Sequence, residues 1–130
     1  MKALPEEITA SAFTAANGEY AWPRAQIVKA LQIIIETKQA ILGGEVWAVK
    51  DGKIWGMIPN AAGETTGVWH WETLPRNAQE SWLDYCSRTG EESIRAVGNM
   101  RVEDDVSPEF QEHLFFNVTY IDEAEDKVEW

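Results

Sequence analysis

The sequence predicts an α+β fold: a mostly antiparallel sheet of about four strands with helices packed on it, in the order α-β-β-β-α-α-β. Three observations carry this. Residues 41–71, ILGGEVWAVKDGKIWGMIPNAAGETTGVWHW, hold three apolar runs separated by turn signals, and with them Trp47, Trp55, Trp69 and Trp71, four of the seven tryptophans. Ahead of that stretch, Ile27, Leu31, Ile34 and Ile35 recur at helical spacing. Behind it, Leu114 to Ile121 reads as a strand with Phe116, Val118 and Tyr120 opposite Phe115 and Ile121.

Taken in order, residues 1–20 are loosely patterned. Pro5-Glu6-Glu7 is read as opening a short helix through Ala16, with Asn17-Gly18 as its stop. Trp22-Pro23 is a firmer boundary, because the residue before proline is held extended while proline suits a first helical turn. A helix over about 23–38 follows, with Arg24, Lys29, Gln32 and Glu36 largely off the apolar stripe. The β-branched run Ile33-Ile34-Ile35 favours a competing strand, but the pattern outlasts an ordinary strand. Ile41-Leu42 is open to either reading, helix end or sheet start.

From Glu45 to Lys50 the side chains alternate, Glu45, Trp47 and Val49 against Val46, Ala48 and Lys50. Asp51-Gly52 predicts a tight turn, and Lys53 to Ile58 the returning strand. After the small-residue loop Asn60 to Gly67, Val68 to Thr73 is the third strand of a meander. Trp69 and Trp71 share one of its faces, Val68, His70 and Glu72 the other. Asn77 with Glu80 makes a capping-box signature for a helix that turns Trp82, Tyr85, Cys86 and Thr89 to one side. Thr89 with Glu92 repeats that signature, so a break at Thr89-Gly90 and a second helix carrying Ile94 and Val97 inward are expected. Ser107-Pro108-Glu109 opens a short helix to His113. The tail, 122–130, carries five acids against one lysine, with Val128 and Trp130 as the residues to pin it.

The chain has 130 residues and 45% hydrophobic content, which fits one folded domain over 1–130. The net charge of −11 disfavours direct binding to nucleic acid, since phosphate is repelled and no counterions are released. It disfavours anionic membrane surfaces equally. A basic protein partner fits better, although acidity also serves plain solubility. Cys86 is the only cysteine, so no internal disulfide can form. The opening MKALPEEITASAF has no signal-peptide pattern, and no apolar run is long enough to span a bilayer. A cytoplasmic protein is expected.

Little here carries chemistry. Cys86 falls on the inward face of a predicted helix, the place of a structural thiol. His70 and Glu72 point the same way from one strand, and with His113 they offer a metal site or an acid–base pair, but their spacing matches no ligand motif. Gly43-Gly44 lacks the longer phosphate-binding pattern. The acidic runs Glu91-Glu92, Glu103-Asp104-Asp105 and 122–129 lack the alternating ligands of a calcium loop; they read as solvated faces or as a surface that mimics phosphates. Trp69 and Trp71 are placed in the core; with the strand turned over, they would form an exposed indole patch.

A helix, then Ile41 to Trp47 (ILGGEVW), an Asp-Gly hairpin, a tryptophan-bearing strand, a helix starting at Glu80-Ser81 and the strand LFFNVTYIDE together resemble a group of bacterial immunity proteins. These belong to polymorphic-toxin and contact-dependent growth-inhibition systems and show a G-G-[DE]-V-[YW] motif. The matching positions are Gly43, Gly44, Glu45, Val46 and Trp47, with Trp69 or Trp71 at the later tryptophan; the resemblance spans roughly residues 24 to 121. It implies a small cytoplasmic non-enzyme, without cofactor or metal, that binds one cognate toxin domain and blocks it. The toxin implied is basic and in many such systems acts on nucleic acid, so an acidic inhibitor would occupy its phosphate track. The expected contact surface is Glu103, Asp104 and Asp105 together with His70, Glu72 and whichever of Trp69 and Trp71 is exposed. Two rivals stand beside it: a small-molecule or peptide module with a tryptophan-lined pocket, and a small hydrolase using His70, Glu72, His113 or Cys86. Oligomeric state has no signal in the sequence.

Overall fold

The computed structural model describes residues 2–126. Two long elements organise it, β3 (Ala40–Lys50) and β6 (Leu114–Ile121), paired antiparallel from Ala40 opposite Ile121 to Ala48 opposite Leu114. A register shift between Ile41 and Gly43 bulges Leu42 out of the ladder. β2 (Tyr20–Pro23) pairs with the far side of β6, and β1 (Phe13–Thr14) with β2. The described residues thus form a six-stranded antiparallel sheet where about four strands are predicted, and the α+β class holds.

The sequence pattern and the structure agree at α2 (Arg24–Glu36), which starts straight after Pro23 and buries Ile27, Ala30, Leu31, Ile33 and Ile34. Ile41 and Leu42 belong to the sheet. Asp51 and Gly52, both with positive φ (53° and 75°), make the predicted turn into β4 (Lys53–Trp55), which ends three residues short of Ile58.

Four expectations are corrected. The N-terminal helix is a single turn, α1 (Glu6–Thr9), and Asn17-Gly18 turns the β1–β2 hairpin, with Ala15 N–H donating to Glu19 O and Gly18 at φ 88°. The chain is drawn back here because the buried Trp22 donates its indole N–H to Ile8 O at 2.8 Å. Strands β3 to β5 are not a meander. β5 (His70–Glu72) passes over β4 and pairs with Gly43–Glu45 of β3, because β4 covers only Ala48–Lys50 and leaves the rest of that edge open. The expected helix break at Thr89-Gly90 is absent, since α3 (Trp82–Asn99) runs unbroken over 18 residues. Its cap is Ser81, whose Oγ accepts from Asp84 N, and not Asn77. The Thr89 hydroxyl is spent inside, accepting from Ile41 N and donating to Cys86 O, both at 3.0 Å. Gly90 is a crossing point: a Cβ there would lie 2.7 Å from Ile35 Cδ1 of α2. Lastly, residues 102–105, read only as an acidic run, form a one-turn helix, α4 (Val102–Asp105). Pro108–Phe110 and Glu123–Glu125 are 3-10 turns. Val128 and Trp130 lie outside the described residues.

The main core lies between the helices and one sheet face, joining Ile27, Leu31 and Ile34 of α2 to Ile41, Val46, Phe116, Val118, Trp71 and Val97. The opposite face has a smaller cluster, Ala15, Ala21 and Trp47 with Phe13 and Phe115, which no helical residue enters. That helix-free outer face carries the candidate site. No described helix is long and apolar enough to cross a membrane.

Candidate partner-binding face

Strand register decides which side chains share the outer face. Glu45 lies opposite both Asn117 of β6 and His70 of β5, and Gly43 opposite both Thr119 and Glu72. With Glu19 from the β1–β2 turn, these residues line an open depression of about 590 Å³. Three of them are carboxylates, and among the described residues no lysine or arginine lines it. The described lining therefore carries net negative charge, whose influence falls off over a Debye length of roughly 8–10 Å.

Each wall is fixed differently. Glu45 Oε1 accepts from the indole N–H of Trp47 at 2.7 Å, which orients the carboxylate without neutralising it. Asn117 Nδ2 donates to Tyr20 O at 2.9 Å. Glu19 is held by Asn17, through its backbone N–H and a side-chain bond of 2.7 Å. His70 Nδ1 lies 3.1 Å from Val68 O. The Glu72 carboxylate is exposed, and no described residue pairs with it.

Trp71 forms the floor. It is 6% exposed, turned to the helical side, and its Nε1–H donates to Ser93 Oγ at 3.0 Å. Trp69 is half-buried against the same core. The two tryptophans therefore take the core side, and His70 and Glu72 the solvent side, so Trp69 and Trp71 form no exposed indole patch.

The acids of α4 sit elsewhere, Glu103 and Asp104 at a second hollow of about 470 Å³ that also contains Arg24 and Arg101. Glu103 is gripped by Arg24 through two contacts of 2.6 Å, and that hydrogen-bonded guanidinium holds its carboxyl below the usual range. Asp104 pairs with Arg101 at 3.1 Å. Asp105 is exposed, and its backbone carbonyl accepts from Ala61 N. Of the seven residues singled out from the sequence, the fold brings together His70 and Glu72 above Trp71, beside Trp69, and separates them from Glu103, Asp104 and Asp105. Sequence reasoning missed Glu19 and Glu45 as partners of this group. The alternation at Glu45 gave its face, but nothing local gave its neighbours.

Of the groups offered for catalysis, His70 and Glu72 share the depression, and neither Cys86 nor His113 lines it. Cys86 is 2% exposed, and burial pushes its thiol up to about 11, the reverse of an activated nucleophile. His113 lies just ahead of β6, where its carbonyl accepts from Val49 N. Among the described residues no three His, Cys, Asp or Glu side chains are grouped to hold a metal.

A protein-family model described as Immunity protein 40 matches residues 12–113, from just before β1 to the start of β6. No curated protein and no solved structure matches the chain.

Proposed function

The chain belongs to the Immunity protein 40 family, an immunity protein whose partner is a cognate toxin, and from that premise we propose that it neutralises a toxin domain by laying the acidic outer sheet face over the toxin's active cleft. The observation that carries the reading is the family match over residues 12–113. The choice of surface rests on the depression, where Glu19, Glu45 and Glu72 stand without a described lining cation.

A basic toxin cleft, such as that of a nuclease, is the complement of this face. Such a cleft holds phosphates through lysine and arginine, and an anionic surface competes for the same groups. The net charge of −11 would add long-range attraction and speed encounter. The protein acts, in this reading, as one cytoplasmic domain that binds and makes no bond of its own. Its α4 acids contribute less, because Arg24 and Arg101 already balance two of them.

The test is co-expression with the toxin domain encoded beside it. A stable complex is expected, with toxin activity lost at one-to-one stoichiometry and an association rate that falls about tenfold or more from low to high salt. No complex, or inhibition without binding, would sink the proposal.

A further inference from the structure

We propose that β5 is an open docking edge, and that the toxin adds an extended strand to it with a lysine or arginine set against Glu72 and Glu45. This rests on the immunity reading above and names how the same face is engaged.

The ladder between β3 and β5 fixes the direction of every backbone group. Trp69 O accepts from Val46 N at 2.8 Å, and Thr73 N–H donates to Leu42 O at 3.1 Å. Alternate residues of an antiparallel strand turn their polar groups to opposite sides. The N–H and C=O of His70 and Glu72 therefore face away from β3. The described sheet ends there, for among the described strands β5 pairs only with β3, and β4 covers a different part of that strand. No described group bonds to those four outward atoms.

Sheet edges are usually blunted by a very short strand, charged side chains, proline or a bulge; β5 has the first two, being three residues long and carrying Glu72. Residues 68–73 carry neither proline nor lysine, and the β3–β5 register has no irregularity. The chain is also anchored just after the strand. Thr73 Oγ1 donates to Ile41 O at 2.7 Å, Glu92 Oε1 accepts from Leu74 N at 2.9 Å, and Arg88 Nη2 donates to Leu74 O and Pro75 O. An edge ordered in advance loses little entropy when a partner strand joins it.

The side chains say what that strand carries. Val68 and Leu74, 40% and 69% exposed, flank β5 and suit apolar neighbours. Between them Glu72 has no described counter-ion, and Glu45 lies one strand inward beside His70. A cation on the added strand meets both carboxylates. A second copy of this chain is the wrong occupant, since each copy brings a net charge of −11.

Amide hydrogen exchange on the free protein and on its complex with the adjacently encoded toxin domain tests the proposal. In the free protein the amides of His70 and Glu72 exchange quickly while Trp71 and Thr73 are protected; in the complex, His70 and Glu72 slow by about 100-fold or more. Proline is tolerated in an edge strand where the N–H faces out, so Glu72→Pro removes one docking donor and spares the β3 ladder. It is expected to weaken the complex about tenfold beyond Glu72→Ala, roughly 1.4 kcal/mol. If Glu72→Pro fails to fold, the exchange data on the unmutated chain decide alone. A tight complex in which His70 and Glu72 still exchange freely overturns strand docking and leaves the immunity reading standing. Protection that grows with protein concentration in the absence of toxin assigns the edge to a second copy and also overturns it. No complex at all removes both.

Discussion

The indole of Trp71 crosses the bare backbone of Gly44 on its way to Ser93. A Cβ on Gly44 would strike Trp71 Cη2 and the carbonyl oxygen of Asn117, and would lie 2.7 Å from Trp71 Cζ2. One missing methyl thus lets β5, β3, β6 and α3 meet at a point. Gly44→Ala is expected to cost about 3 kcal/mol or more, because the obstructing oxygen belongs to a ladder strand that cannot yield. Urea unfolding reads this as a lower midpoint at unchanged slope. A midpoint within error of the parent would mean that the crossing is looser than described.

That crossing also marks the boundary of what the sequence discloses. Local patterns were legible: the isoleucine spacing of α2, the Asp51-Gly52 turn, the alternation in β6, and the common face of His70 and Glu72. Long-range choices were not. The partner of β5 depends on how much of β3 the short β4 leaves uncovered, a length set by packing. Gly90 reads as a helix stop until Ile35 of α2 is seen against it. Thr89 reads as a cap until its hydroxyl is seen bonded to Ile41 N. The site behaves alike: Glu45 and Glu19 reach His70 and Glu72 only through strand register, and Glu103 loses its free charge to Arg24, 79 residues earlier.

Arg24 closes the C-terminal end of α3. Its Nη1 donates to Val97 O and its Nη2 to Met100 O, at 2.5 and 2.6 Å, while the guanidinium stacks over Phe116 at 4.6 Å and grips Glu103. Both side chains are about a third exposed (37% and 34%), so solvent screens the ion pair and the carbonyl bonds matter more. Arg24→Ala is expected to cost about 2 kcal/mol, and Glu103→Gln less than about 1 kcal/mol. Thermal unfolding of the two variants checks the order; a larger loss from Glu103→Gln would reverse the assignment.

Arg88 is the hub that ties residues 74–80 to α3. It donates to both oxygens of Glu80, at 2.7 and 2.9 Å, and to Glu92. The hydrogen bond from Arg88 holds the Glu80 carboxyl below its ordinary 4.5. The folded state then binds fewer protons than the unfolded one in acid. The stabilisation is whole above about pH 5 and drains away as pH falls through the folded value. Urea midpoints measured from pH 7 to pH 3 should decline below about pH 5, and Glu80→Gln should flatten that decline. An equally steep decline in the variant would place the acid sensitivity at other carboxyls.

Cys86 shows burial acting on the opposite sign of shift. Desolvation by the cluster with Ala40, Trp82 and Tyr85 raises its thiol to about 11, so the thiolate is scarce at neutral pH. Reaction with a maleimide at pH 7.5 should be slower than that of a free cysteine by about 100-fold or more and should reach full speed in denaturant. Rapid labelling of the native protein would show that α3 opens at its N-terminal half.

The two acidic regions can be told apart by charge reversal. Glu72 faces the open depression without a described counter-ion, whereas Asp104 is paired and Asp105 sits on α4, next to the two acids that line the hollow with two arginines. If the outer sheet face meets a basic cleft, Glu72→Lys brings like charges together at the centre of the contact. It should weaken toxin binding by about 30-fold or more and lower the association rate, with a smaller salt dependence. Asp105→Lys should change the affinity by less than about threefold, the ordinary effect of a charge at the rim. Both variants leave the β3–β5 ladder intact, so their thermal midpoints should stay near that of the parent and the comparison reads binding alone. The reverse ranking, with Asp105→Lys the damaging change, would move the toxin contact to α4 and leave the depression without a role.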